Sequence, residues 1–123
     1  MKLPGHYEMA TANPSLILVT DETFEAEVIR SQLPVVVDFY ADWCAPCRSA
    51  EPVLAELSST FAGRVKFAKV NVDDCESVAR SYGIHSIPTY IFVEHGREKG
   101  RQIGVLGAPT EFRTTLKRYF SFA

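Results

Sequence analysis

The apolar positions of this chain follow two periodicities that alternate along the sequence. The clearest strand pattern, Pro34-Val35-Val36-Val37-Asp38-Phe39-Tyr40, is apolar on both faces, as expected for a central strand covered by helices. Directly after it, apolar residues recur at helical spacing: Ala50, Val53, Leu54, Leu57 and Phe61. Because strands that alternate with helices pair in parallel, the pattern predicts an α/β protein.

The predicted elements follow the order βαβαβαββα. Strands are expected at residues 15–19, 34–40, 65–72, 89–93 and 99–105. Helices are expected after Asp21, over residues 44–61, after Asp73 and after Pro109. A turn at residues 95–98 joins the last two strands into a hairpin. The fold class is therefore α/β, with a central mixed five-stranded sheet flanked by four helices on both faces.

Three local signals refine the helix predictions. Asp21 is expected to cap the first helix. Asp73 and Glu76 have the spacing of a capping box for the third helix. Pro52 lies inside the long second helix and predicts a kink there.

Composition limits the classes of function. With 123 residues the chain fits one domain, for which we expect residues 15–123, preceded by a loose arm at residues 1–14. The formal charge of -2 gives no reason to expect nucleic acid or an anionic membrane as partner. No run of apolar residues is as long as a membrane span, and no signal peptide is evident. The sequence predicts a cytoplasmic protein, where a disulfide is transient and catalytic.

The motif Trp43-Cys44-Ala45-Pro46-Cys47 falls between the central strand and the long helix. The first turn of a helix has N–H groups without partners in the helix, and these groups stabilise an anion such as a Cys44 thiolate. Residues three apart lie on one side of a helix, so Cys47 reaches the Cys44 sulfur. Pro46 stiffens the loop and removes one N–H, which favours a reductant over an oxidant.

A zinc site is the structural alternative for such a cysteine pair. Zinc takes about four ligands, but Cys75, His6, His85 and His95 show no second ligand pair. We therefore expect no metal.

Four separated motifs make the sequence resemble the thioredoxin family over about residues 15–120. These are the run from Val36 to Cys47, Lys69-Val70-Asn71-Val72-Asp73, the segment from Tyr82 to Thr89 that includes Ser86-Ile87-Pro88-Thr89, and Gly104. The resemblance implies a thioredoxin fold and a protein-disulfide reductase that uses Cys44 and Cys47. Ala45, where the family usually has Gly, is a small departure that affects redox potential or partner choice rather than the reaction.

The resemblance also implies roles for the chemical groups. Cys44 is expected to be the attacking thiol, near the surface, and Cys47 the more buried resolving thiol. Asp38 is either a buried acid with a raised pKa, which exchanges a proton with Cys47, or a carboxylate that points outward at a strand end. Lys69 is either the partner of Asp38 or a solvated strand-end lysine.

Substrate docking is expected at an apolar rim around Cys44. Trp43 either packs over the active-site loop as part of this rim or is a core aromatic. The other expected members are Pro46, Val72, Ile87, Pro88 and Gly104. The resemblance further implies a cis bond between Ile87 and Pro88 in a loop that faces Cys44.

The remaining hypotheses concern other thiols, partners and functions. Cys75 is interpreted as a small buried hydrophobe, with a regulatory or dimerising thiol as the alternative. We expect a monomer that takes electrons from thioredoxin reductase or an equivalent donor, passes them to disulfide-containing proteins, and needs no cofactor beyond the Cys44–Cys47 disulfide. A disulfide oxidase or isomerase, and a redox-independent docking or chaperone module, are the competing functions.

Overall fold

Five strands form one mixed sheet in the computed structural model, which describes residues 16–121. They are β1 (Leu16–Leu18), β2 (Val35–Tyr40), β3 (Lys66–Asn71), β4 (Thr89–Glu94) and β5 (Arg97–Ile103). Their order in the sheet is β1-β3-β2-β4-β5. The first three strands are parallel, whereas β4 runs antiparallel to β2 and β5 antiparallel to β4. The predicted fold class is confirmed.

Four helical segments connect the strands: α1 (Glu25–Ile29), α2 (Ala45–Thr60), α3 (Glu76–Ser81) and α4 (Pro109–Tyr119). The first is a short π-helical segment, in which the Arg30 N–H donates to the Glu25 carbonyl five residues earlier, at 2.9 Å. Pro52 lies inside α2, which nevertheless continues to Thr60. The predicted arm at residues 1–14 lies outside the described residues.

The sheet carries a hydrophobic core on each face, and β2 contributes to both. Val36 faces α2 and α4, in a cluster that includes Leu54 and Phe112. Val35 and Val37 face α1 and α3, in a second cluster. This double burial explains why β2 is apolar at successive positions.

The hairpin between β4 and β5 is tighter than the sequence predicts. His95 and Gly96 both have positive φ angles, 55° and 78°, which suit a two-residue turn. The last strand therefore begins at Arg97, two residues earlier than expected.

Two predicted helix caps are wrong, because each aspartate binds a group distant in sequence. The residue at the N-cap of α3 is Cys75, while Asp73 accepts a hydrogen bond from the Trp43 indole. Asp21 accepts from the Val78 N–H at 3.1 Å and so caps α3 instead of α1. The turn before α1 is closed by Thr20 and Thr23, whose backbone N–H groups each donate to the other's hydroxyl.

Candidate active site

The cysteine pair lies where β2 leads into α2. Cys44 is the N-cap residue of α2 and has an extended backbone, with φ -89° and ψ 106°. It forms a disulfide with Cys47, and their Cα atoms are 5.3 Å apart. The Cys47 N–H donates a hydrogen bond to the Cys44 sulfur at 3.2 Å. A first-turn N–H of this kind, which has no carbonyl partner within the helix, stabilises negative charge on the sulfur once the pair is reduced.

Both cysteines are covered to the same extent. Each is 4% exposed, so the expectation that Cys47 is the more buried of the two is wrong for the disulfide form. The reason is that the pair shares one apolar environment, in which Tyr40, Val72 and Ile87 pack against it.

The loop before β4 lies beside the redox pair. The Ile87–Pro88 bond is cis, as the family resemblance implied, and Ile87 packs against the cysteine cluster. The Pro88 carbonyl accepts the Gly104 N–H at 2.9 Å, which fastens the loop to the end of β5. Gly104 has φ +104°, a conformation that favours glycine.

Trp43 lies at the surface of this site. It is 68% exposed, so the alternative of a core aromatic is wrong. Its indole Nε1–H donates to Asp73 Oδ2 at 2.9 Å, which fixes the ring relative to the segment after β3. The sequence reasoning did not identify this role of Asp73, because the spacing of Asp73 and Glu76 indicated a local cap.

Two further exposed apolar residues were missed. Ile103 is 65% exposed and Val105 is 72% exposed, and they flank Gly104. Their position on either side of a motif residue was the signal that could have identified them. Together with Trp43, they give the surface beside the loop a markedly apolar character.

Asp38 is the buried acid of the site. It lies on β2 and is only 4% exposed, so the alternative of an outward-pointing carboxylate is wrong. Burial raises its pKa from 3.8 to about 7, an effect that the charge of Lys69 opposes and that of Glu51 reinforces. A carboxyl group with such a pKa can both accept and release a proton near neutral pH.

Lys69 is not a solvated lysine; its charge acts on Asp38, although its direct ion pair is with Glu51. It lies opposite Asp38 in the register of β2 and β3, and its side chain is 18% exposed. Its ammonium group forms a salt bridge with Glu51 and lies 4.4 Å from the centre of the Tyr40 ring. Glu51 was missed by the sequence reasoning, although it follows Cys47 by one helical turn and so lies on the same side of α2.

The third cysteine is separate from this site. Cys75 is buried, and its thiol donates a weak hydrogen bond to the Val19 carbonyl at 3.6 Å. Burial raises the pKa of the Cys75 thiol, and the charges of Asp21 and Asp74 raise it further. These features agree with a small buried hydrophobe.

The described residues contain neither a metal-binding cluster nor a membrane-spanning helix. Within residues 16–121 no His, Cys, Asp and Glu side chains are grouped as a metal ion requires. In the same range, no helix combines the length and the apolar character needed to cross a bilayer.

A redox-active cysteine pair at the start of a helix, beside a cis-proline loop in this fold, defines the thiol–disulfide oxidoreductases. Comparison with known proteins specifies the family. The Thioredoxin family model matches residues 15–118, and the chain belongs to this family. It is a thiol–disulfide oxidoreductase of the protein-disulfide reductase type.

Individual relatives agree with this assignment. The chain is 44% identical to a thioredoxin of Rickettsia bellii over 87 residues, which cover 71% of this chain and 83% of the relative. It is 41% identical to a thioredoxin of Pyropia yezoensis over 107 residues, covering 87% and 99%. Identity to a thioredoxin of Thiocapsa roseopersicina reaches 51% over 75 residues, covering 61% and 82%.

Proposed function

We propose that Cys44 is the nucleophile and Cys47 the resolving thiol in the reduction of protein disulfides. The observation that carries this assignment is the hydrogen bond from the Cys47 N–H to the Cys44 sulfur. It supports a stabilised thiolate at Cys44, since the thiolate is the nucleophilic form of cysteine.

The first step forms a mixed disulfide. The Cys44 thiolate attacks one sulfur of the substrate disulfide, a Cys44–substrate bond forms, and the substrate S–S bond breaks. The leaving sulfur departs as a thiolate and takes a proton. Cys47 remains a thiol at this stage and lies one helical turn from the reacting sulfur.

The second step releases the reduced substrate. Asp38 accepts the proton of Cys47, and the Cys47 thiolate attacks the Cys44 sulfur. The Cys44–Cys47 disulfide forms, and the second substrate sulfur leaves as a thiolate. A carboxyl group with a pKa of about 7 supports this role, since it takes the proton in this step and returns it when the pair is reduced again.

Lys69 acts on this step through its charge. The Lys69 ammonium lowers the pKa of Asp38, and Glu51, its salt-bridge partner, raises it. Together, Lys69 and Glu51 therefore hold the pKa of Asp38 between that of a free carboxyl group and that of a fully desolvated one.

Substrates dock on the apolar rim beside Cys44. The rim consists of Trp43, Pro46, Val72, Ile87, Pro88 and Gly104, and the exposed side chains of Ile103 and Val105 extend it. An extended substrate segment pairs with the backbone of Ile87, as an added strand pairs with a sheet edge. Docking of this kind recognises an unfolded or exposed stretch around a disulfide more than a particular sequence.

Each turnover oxidises the pair by two electrons, which a thioredoxin reductase or an equivalent donor returns together with two protons. The Cys44–Cys47 disulfide is the only redox group that this cycle requires.

We further propose that residues 15–123 act as one monomeric domain in the reducing cytoplasm, without nucleic acid or membrane as partner. The buried free thiol of Cys75 is compatible with that compartment.

Two experiments test the proposal. Incubation of a Cys47→Ser variant with an oxidised protein substrate is expected to accumulate a mixed disulfide at Cys44, identified by peptide mass spectrometry. A mixed disulfide at Cys75, or none, would contradict the assignment of the nucleophile. Redox titration of the Cys44–Cys47 pair then separates the reductase from an oxidase: a potential in the range of strong oxidants would contradict the reductase.

A further inference from the structure

A second polar group lies buried next to Asp38. Tyr90 is fully buried, and β2 and β4 pair so that Tyr90 lies directly opposite Asp38. Among the described residues, Asp38 Oδ1 and Tyr90 Oη are the buried side-chain atoms for which no hydrogen-bond partner is found within the protein. The two atoms therefore belong to neighbouring side chains.

Two unpaired polar atoms on neighbouring buried side chains carry an energetic cost. A buried polar atom without a partner costs about 1–3 kcal/mol, and such atoms are rare in proteins. Directly opposed residues of an antiparallel pair point to the same face, with Cβ atoms about 4.5–5.5 Å apart. Because neither atom has a direct partner within the protein, one water molecule between the hydroxyl and the carboxylate would satisfy both.

The pair also lies beneath the reactive helix. Tyr90 packs in the core cluster that includes Ala50 and Leu54 of α2. These two residues follow Cys47 by three and seven positions and so share its face of the helix. The hydroxyl, the carboxyl group and the resolving cysteine are thus on the same side of the sheet.

We propose that Tyr90 is a positioning residue for Asp38: its hydroxyl donates a hydrogen bond to one water molecule, which donates in turn to the Asp38 carboxylate and stabilises the form that accepts the proton of Cys47. The inference rests on the proposed role of Asp38. It adds a hydrogen-bond donor that favours the ionised form of Asp38, and an apolar side chain at this position would not supply such a donor.

Several other ionisable groups also face Asp38. Glu51 acts on it from α2 and Lys69 from β3, and Tyr40 lies on the same strand. Burial and the charge of Asp38 both raise the pKa of Tyr90. The Tyr90 hydroxyl therefore remains protonated, and able to donate, throughout the range in which Asp38 titrates.

The decisive variant is Tyr90→Phe, which removes the hydroxyl and keeps the ring. The pKa of Asp38 is measured by carbon-13 NMR of its carboxyl group in the oxidised protein, where Cys44 and Cys47 are bonded and do not titrate. Loss of a hydrogen bond to the charged form is expected to raise this pKa by about one unit. The matched control is Tyr82→Phe on the opposite face of the sheet, which is expected to leave it unchanged. An unchanged pKa of Asp38 in Tyr90→Phe would overturn the proposal.

A measurement on the unmodified protein covers the case in which Tyr90→Phe does not fold. The carbon-13 shift of the Tyr90 Cζ atom is expected to titrate with the pKa of Asp38 in wild type and to lose that titration in Asp38→Asn. A Tyr90 signal that stays flat while Asp38 titrates would overturn the proposal as well.

Turnover separates this inference from the proposed function. The pH profile of Tyr90→Phe is expected to shift upward by the same amount as the pKa of Asp38. If Asp38→Asn turns over as fast as wild type, the catalytic role of Asp38 fails, and the NMR titrations still decide whether Tyr90 binds the carboxylate.

Discussion

Cys44 and Cys75 occupy the same kind of position, but their sulfurs have different hydrogen-bond partners. Each is the N-cap residue of a helix, and each is buried, at 4% and 2% exposure. The sulfur of Cys44 accepts the N–H of Cys47 in the first turn of α2. The sulfur of Cys75 accepts no such bond and points toward the Val19 carbonyl, while Asp21 binds the N–H of Val78 in α3.

The difference shows that a helix N-terminus does not by itself activate a thiol. Activation requires that the N–H groups of the first helical turn donate to the sulfur. At α3 the Asp21 carboxylate accepts the Val78 N–H instead. The same carboxylate, with Asp74, adds negative charge that raises the pKa of the Cys75 thiol. Under the proposed function, two cysteines at helix N-caps thereby differ in how far their thiolates are stabilised.

The strongest test of this comparison removes each thiol in turn. Cys44→Ser is expected to reduce turnover to below about 1% of wild type, since a serine hydroxyl does not ionise at neutral pH and forms no disulfide. Cys75→Ser is expected to retain nearly full turnover. The rate of reduction of an accessible protein disulfide by a small dithiol measures both variants. A large loss in Cys75→Ser would mean that the buried thiol takes part in the reaction.

A second test compares the reactivities of the thiols in the reduced protein. At pH 7 Cys44 is expected to react with an alkylating reagent at least about 100-fold faster than Cys75, because the Cys47 N–H stabilises its thiolate, whereas burial and nearby carboxylates raise the pKa of Cys75. Peptide mass spectrometry gives both rates. In denaturant the two rates should converge. Comparable rates in the folded protein would show that the Cys44 thiolate is no more stabilised than that of Cys75.

Asp38→Asn tests whether the reactive pair has a proton acceptor that Cys75 lacks. Turnover at pH 7 is expected to fall about tenfold or more, since general acid–base catalysis contributes at least that much. The alkylation rate of Cys75 is expected to remain as in wild type, because Asp38 lies on the other face of the sheet. Unchanged turnover would show that Cys47 loses its proton without this carboxylate.

The same variant has a defined effect on stability. Because the pKa of Asp38 is raised in the folded state, the native protein binds more protons than the unfolded chain between about pH 4 and pH 7. Ionised Asp38 therefore costs stability as pH rises through this range, by at most about 4 kcal/mol above pH 7. Asp38→Asn is expected to be more stable than wild type at pH 8 and to lose this advantage near pH 4, as denaturant unfolding would show. Equal stability at both pH values would contradict the raised pKa.

The smallest expected effect comes from the cap of α3. Asp21→Ala removes the carboxylate that binds the Val78 N–H and is expected to cost about 1 kcal/mol of stability. It also removes a charge that raises the pKa of Cys75, so the alkylation of Cys75 should become faster while turnover is unchanged. The neighbouring variant Glu22→Ala, at an exposed position, serves as the control in thermal unfolding. A loss of stability as large in Glu22→Ala as in Asp21→Ala would exclude a specific cap.

The features that the sequence predicted well are those with a local signal. The apolar run of β2 predicted a strand covered on both faces, and of the two alternatives for Asp38 the structure shows the buried one. The cysteine spacing predicted a pair at the start of a helix. The cis bond at Ile87–Pro88 came from family resemblance, since few proline bonds are cis and no local pattern marks them.

Features that depend on partners distant in sequence were not predictable. Asp73 and Asp21 both satisfied local capping rules, but the indole of Trp43 and the N–H of Val78 bind them instead. Glu51 and Tyr90 reach the surroundings of Asp38 only through helix packing and the register of β4. Strand register is set by the whole sheet, so a single strand does not specify which side chains it will oppose.

The exposed position of Trp43 has a practical consequence. It is the single tryptophan of the chain, and its indole is fixed to Asp73 beside the redox pair. Indole emission from this protein therefore originates at one place, within the rim where substrates are proposed to dock. We expect reduction of the disulfide, or a peptide covering the ring, to change that emission, which would make the native protein its own optical reporter of redox state and of peptide binding.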